Sequence, residues 1–322
     1  MCAPSKTGLE ILVTGRQAFS VIAMIPEGWQ WNQAELDRGD PLNTGLLSIL
    51  VIGNDLRPEL IGTAFLVTAN GNHATAISAA HCFEQVRKVL HPNLPHHTSA
   101  LSEFLPPPEE IDLQRVRALY IKEGAAHFCP TEIGIWDNAT DLAVFTVNAP
   151  ANDFDLFRDL FWIDNEVPTA GEEVIMIGFG KMKVLPDAAD ASGGTIQRQL
   201  LARLGRVEEI FPERHIMLKG PCIQTSIAIF GGMSGGPVAK WTGPNTGIKP
   251  FAFISHAPDP QPLYDRSISG HSVASILSAR IETAGDKRQV LTFAVSNIAV
   301  GKDGAKSQPR SSLEFLPDEH DD

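Results

Sequence analysis

The 322-residue sequence has no surplus of positive charge: 26 lysines and arginines stand against 38 aspartates and glutamates, for a formal net charge of −12 at neutral pH. With no basic face to offer, neither nucleic acid nor an anionic membrane is an expected partner. Long apolar runs are also missing. The stretch Phe19–Ile25 is too short and too poorly flanked to cross a bilayer or to act as a secretory leader. Cysteine is scarce, and four thiols in a chain of this length do not make a disulfide framework. Nor is there a convincing set of metal ligands. His91, His96 and His97 have no carboxylate or thiol at ligand spacing, and His127 with Cys129 is read the same way, so no metal and no cofactor are expected.

What the chain does have is apolar content, 43% of it, which is enough to fill two compact lobes. From Leu46 onward, short aliphatic and β-branched runs alternate with turn residues: Leu47–Ile52, Ile61–Thr68, Ala74–Ser78 and Leu142–Val147. Later candidates are Val174–Gly180, Ile196–Val207, Ile216–Leu218, Pro237–Trp241, Phe251–Ser255 and Leu291–Val295. Such spacing reads as an antiparallel barrel or sandwich. Two helices are expected. One is a short turn of helix after His81, and the other runs over Ser272–Glu282, where Val273, Ile276, Leu277 and Ile281 fall at helical spacing. The insert 91–112, with Pro106-Pro107-Pro108, reads as a surface loop, and Ala18–Ile25 as a strand.

The chemistry concentrates in Phe230-Gly231-Gly232-Met233-Ser234-Gly235-Gly236-Pro237-Val238. Four glycines in six positions suit a sharp loop rather than a strand or helix interior. Ser234 is the reactive side chain inside it. A serine hydroxyl becomes a useful nucleophile when a base takes its proton and fixed N–H donors receive the oxyanion. Candidates for base and orienting acid lie in Ile77-Ser78-Ala79-Ala80-His81-Cys82 and in Thr140-Asp141-Leu142-Ala143-Val144. Asp137 and Asp155 are rival acids, but neither opens an Asp-Leu-Ala-Val block. Sixty residues separate His81 from Asp141, and 93 separate Asp141 from Ser234.

These three blocks, in the order His, Asp, Ser, resemble the signatures of the trypsin/chymotrypsin-like serine proteases. A hydrolase elbow would share the glycines around Ser234 but would place the serine first and the histidine last. The Gly178-Phe179-Gly180 turn is a fourth, weaker likeness. The resemblance implies an all-β fold of two antiparallel six-stranded barrels with a C-terminal helix. It divides the chain into an N-terminal extension (1–45), a first barrel carrying His and Asp (46–155), a second barrel carrying Ser (156–300) and a disordered acidic tail (301–322). It implies a serine endopeptidase acting on protein or peptide substrates, with His81, Asp141 and Ser234 catalytic and the N–H groups of Gly232 and Ser234 as oxyanion hole. An esterase with the same triad, or a latent peptide-binding module of the same fold, is the alternative.

Several positions depart from the family pattern. In secreted relatives the cysteine beside the catalytic histidine pairs with one upstream; here that position is Ile61. Cys82 is then unpaired, which suits a reducing, cytoplasmic compartment. Met233 replaces the aspartate that receives a new N-terminus in zymogens, so the chain is expected to be competent as synthesised or controlled by an activating partner. Ala228, six residues before Ser234, would form the base of the primary pocket and favour small or apolar P1 residues, since a buried cation there would go unpaired. Ser255 and His256 occupy the strand expected to pair with substrate. His256 stands where the family often has tryptophan, as a pocket wall or as an acceptor of acidic P1 side chains.

Overall fold

The computed structural model describes residues 32–35, 41–93, 111–122, 125–150, 156–157, 159–186, 194–216, 218–243, 246–256, 271–277, 279–283, 289–293 and 296–300. The expected strand Ala18–Ile25, most of the proline-rich insert and the acidic tail lie outside them.

Two closed six-stranded antiparallel barrels make up the fold. The first contains β2 (Leu46–Ile52), β3 (Pro58–Asn70), β4 (His73–Ala79), β5 (Val116–Lys122), β6 (Ala125–Asp137) and β7 (Leu142–Asn148), closed in the order β2-β3-β4-β7-β6-β5. Helix α1 (Ala80–Leu90) follows β4 directly. The second contains β8 (Glu173–Pro186), β9 (Gly194–Phe211), β10 (Cys222–Thr225), β11 (Pro237–Lys240), β12 (Pro250–His256) and β13 (Ser272–Ile276). They run in the order β9-β10-β13-β12-β11-β8, and pairing of β8 with β9 closes the ring. A short strand from the N-terminal region, β1 (Asn32–Glu35), adds to β9 with Asn32 opposite Leu204. Strands β14 (Ala279–Thr283), β15 (Gln289–Phe293) and β16 (Ser296–Val300) form a separate sheet.

Successive side chains of a strand face opposite ways, and β8 uses this to serve two cores. Val174 and Met176 enter the interior of the second barrel with Leu201, Val238, Ile254 and Ala274. Ile175, Ile177 and Phe179 join a cluster continuous with first-barrel residues such as Leu47, Phe65 and Phe145. All five β8 side chains are fully buried, and each contributes roughly 1.5–3 kcal/mol by leaving water. Arg198 of β9 fastens the same seam, donating to Ser48 Oγ and Asn43 Oδ1, both at 3.0 Å, with its guanidinium 4.3 Å from the centre of the Phe179 ring.

Three features differ from the sequence reading. The C-terminal helix over Ser272–Glu282 is not formed: Ser272–Ile276 is strand β13, held between β10 and β12. All five of its residues are buried, with Ser272, Ala274 and Ile276 on one face and Val273 and Ser275 on the other, and the i, i+3, i+4 spacing was produced by a strand covered on both sides. In the expected strand Ile216–Leu218, neither Ile216 nor Leu218 is in a strand, and Met217 lies outside the described residues. Ile216 is exposed, and the segment that pairs is Cys222–Thr225. The hairpin β5–β6 was missed because its alternation is broken by His127, Cys129 and Pro130.

Candidate active site

Asp141 directly precedes strand β7. It follows a tight turn in which Asp137 Oδ2 accepts from Thr140 Oγ1 at 2.6 Å and Asp137 Oδ1 accepts from Ala139 N–H at 3.0 Å. The rival acid Asp137 is thereby accounted for as a turn cap; Asp155 lies outside the described residues. Ser275 of the second barrel donates to the Thr140 carbonyl at 2.6 Å, tying this turn across the lobes. Asp141 itself has φ +57°, a left-handed conformation that aspartate tolerates better than most residues.

From that position Asp141 closes the start of α1. Ala79, the residue before the helix, makes no side-chain cap. Instead the Asp141 carbonyl accepts from Ala80 N–H at 2.7 Å, and its Oδ1 accepts from His81 N–H at 2.8 Å, satisfying two of the helix's orphan donors. Oδ2 accepts from His81 Nδ1 at 2.7 Å and from Ser255 Oγ at 2.5 Å. The side chain of Asp141 is only 2% exposed and that of His81 22%. Burial pushes the Asp141 carboxyl up, but the His81 charge and the hydrogen bonds outweigh it and hold the group below its ordinary value. For His81, burial lowers the pKa and Asp141 raises it, with a net rise above the ordinary histidine value.

The Ser234 loop is clamped to the first barrel by Thr63. Thr63 N–H donates to the Ser234 carbonyl at 2.8 Å, Thr63 Oγ1 donates to the Gly232 carbonyl at 2.7 Å, and Phe179 N–H donates to Thr63 Oγ1 at 2.8 Å. Gly235, at φ +83°, donates to the Ile254 carbonyl at 2.7 Å; a side chain there would collide with Thr63 O and Ser78 Oγ. Within the loop Met233 N–H bonds to the Phe230 carbonyl. Among the described residues, no hydrogen bond is made by the N–H groups of Gly232 or Ser234. Ser234 Oγ donates to the Ser255 carbonyl at 3.3 Å, and among the described residues no hydrogen bond joins it directly to His81.

Ser255 and His256 therefore stand beside the same carboxylate. His256 packs its ring against His81, centroids 4.6 Å apart, and its Nδ1 lies 2.5 Å from Ser255 Oγ and 3.8 Å from Asp141 Oδ2. His81, Asp141 and His256 are the one group among the described residues that could offer three ligand atoms to a metal, all within 4.8 Å. Those on Asp141 and both Nδ1 atoms are engaged in the hydrogen bonds just given. Ala228 is fully buried, and its carbonyl accepts from the Arg203 guanidinium, which also lies 4.0 Å from the centre of the Phe230 ring. Burial brings Arg203 down to about 9. Cys82, Cys129 and Cys222 are in no disulfide, and Cys82 Sγ donates to the Ser234 carbonyl at 3.5 Å.

Sequence reasoning missed Thr63, Ser275 and Arg203. Thr63 had a signal, a lone hydroxyl in the apolar run Ile61–Val67; Ser275 and Arg203 had none, since their partners are remote in sequence.

The family model for the trypsin-like peptidase domain matches residues 62–248, more than half of the chain, and the protein belongs to that family. Among solved structures it is similar to the Rv3671c protease from M. tuberculosis in its active form, with 12% identity and a TM-score of 0.41 over 73% of this chain and 76% of that one. Deg5 matches at 16% identity and a TM-score of 0.40, covering 67% of this chain and 80% of its own. The MamO protease domain from Magnetospirillum magneticum matches at 12% identity and a TM-score of 0.41, covering 73% and 93%. Comparison with the curated proteins finds no match.

Proposed function

We propose that this trypsin-like peptidase is a serine endopeptidase that hydrolyses protein or peptide substrates through Ser234, His81 and Asp141. The observation that carries the reading is His81 fixed through Nδ1 by a buried carboxylate, which leaves Nε2 as the base beside a serine loop with two uncommitted N–H groups. In the reaction Ser234 Oγ bonds to the substrate carbonyl carbon and its proton passes to His81 Nε2. The oxyanion is received by Gly232 and Ser234 N–H, each such donor being worth about 3 kcal/mol in another protease. The C–N bond then breaks as His81 returns the proton to the leaving amine; water, giving a proton to His81 Nε2, bonds to the acyl carbon, and the acyl–Oγ bond breaks as His81 hands that proton back to Ser234 Oγ, releasing the acid. The free thiol of Cys82 fits a reducing compartment such as the cytoplasm. Ala228 with Arg203 behind it disfavours a basic P1 residue.

One observation favours a second reading, a latent peptide-binding form: the Ser234 hydroxyl is bonded to Ser255 rather than to His81. Fluorophosphonate labelling of the purified protein, beside Ser234→Ala and His81→Ala, separates the two. Labelling of the wild type alone, with cleavage of a peptide library after non-basic residues, supports the enzyme. Wild type that labels only after lysate is added supports latency, and wild type that never labels overturns hydrolysis.

A further inference from the structure

His256 enters the Asp141 site by a route that the triad does not require. Its ring is tilted 37° against that of His81, and its side chain is 13% exposed. Ser255 Oγ lies 2.5 Å from both Asp141 Oδ2 and His256 Nδ1. A hydroxyl has one proton to give, and an ionised carboxylate can only accept. The Ser255 proton therefore goes to Asp141, and His256 Nδ1 must be the donor to Ser255 Oγ. The direction of each bond is set: His256 Nδ1–H to Ser255, Ser255 O–H to Asp141, and His81 Nδ1–H to the same carboxylate oxygen.

We propose that His256 is a positioning residue for the base: by donating to Ser255 Oγ it pins the Ser255 proton on Asp141 and so limits how strongly the carboxylate draws a proton onto His81. The inference rests on the reading of His81 as base. Without the Nδ1 donor, the Ser255 hydroxyl is free to turn. Asp141 Oδ2 then keeps one donor instead of two and becomes more basic, and His81 holds its proton to higher pH. Among the described residues, the charged and titratable groups that act on His256 are His81, Asp141 and His215, and those that act on His81 are Asp141, Glu84 and Lys88. Burial, His81 and His215 keep His256 neutral down to about pH 4 despite the opposing pull of Asp141, so it acts as a neutral donor over the range in which His81 titrates.

Three substitutions test this, with the titration midpoint of the labelled His81 imidazole followed by NMR, a readout that needs no turnover. His256→Asn places its amide N–H where Nδ1–H was but removes the ring. His256→Phe keeps a ring against His81 but removes the donor. His256→Gln, whose amide reaches the Nε2 position instead, stands in for phenylalanine should that variant fail to fold. The proposal expects the midpoint in His256→Asn to stay within about 0.3 pH unit of wild type, and in His256→Phe or His256→Gln to rise by about one unit, the worth of one hydrogen bond to a charged group. The acid limb of kcat/KM should move with it. A ring acting only as a wall gives the reverse order, with phenylalanine silent and asparagine disturbed. An unshifted His256→Phe or His256→Gln, or a His256→Asn shifted as far as they are, overturns the proposal. Wild type that fails to label at Ser234 counts against hydrolysis alone, because the titration is read independently of it.

Discussion

Asp141 combines four demands in one side chain and backbone: a left-handed φ, a carbonyl and a carboxylate oxygen capping α1, and a second oxygen shared by His81 and Ser255. Its substitution by asparagine keeps the shape and the Oδ1 acceptor for His81 N–H. It presents an N–H to His81 Nδ1, however, which inverts the tautomer needed at Nε2. Loss of the orienting carboxylate in a trypsin-type triad lowers kcat by about 10⁴-fold with geometry intact. The same drop is expected for Asp141→Asn in peptide hydrolysis, with an unaltered circular dichroism spectrum. A loss below about tenfold would mean that Asp141 is a structural cap and not the orienter. The meeting of His81 with Asp141 was legible in the sequence because each sits in a short block whose neighbours set its local backbone. The bond from Ser255 to Asp141 was not, because it joins residues 114 apart through the packing of two barrels.

The Ser234 loop owes its shape to an element it does not belong to. Thr63 on β3 is fully buried and uses its one hydroxyl twice, accepting from Phe179 N–H and donating to the Gly232 carbonyl. Thr63→Val keeps the volume but leaves Phe179 N–H without that acceptor, at a cost of about 1–3 kcal/mol. It also releases the loop that carries the Gly232 and Ser234 N–H groups. Urea unfolding should report the stability loss, and fluorophosphonate labelling of Ser234 should slow by about tenfold or more in conditions where the variant stays folded. Labelling at the wild-type rate would show that the glycines shape the loop unaided. The elements themselves were readable where apolar residues alternate or run unbroken, as in β2, β3, β7 and β8. They were misread where burial on both faces erased the alternation, as in β13, and missed where polar residues interrupt an otherwise paired strand, as in β6.

At the scale of the whole molecule, the buried groups between the barrels make stability depend on pH in opposite directions. His81, raised above 6.5, adds stability that is complete below 6.5 and is lost as pH rises through its folded value. Asp141, lowered below 3.8, adds stability that is present above 3.8 and is lost as pH falls through its folded value. His256 dominates the range between. Burial, with His81 and His215, depresses it from 6.5 to about 4, so from pH 6.5 downward the unfolded chain takes up a proton that the folded chain refuses. Stability present above 6.5 is therefore lost as pH falls toward 4, by on the order of 3 kcal/mol at about 1.4 kcal/mol per unit. Other carboxylates titrate in the same window, so the useful quantity is a difference. Urea unfolding at pH 7 and at pH 4 should show the wild type losing about 3 kcal/mol more than His256→Phe, which has no group there to protonate. Equal losses in the two proteins would mean that His256 takes its proton in the folded state as readily as in the unfolded one, and that the seam between the barrels opens to water before the fold gives way.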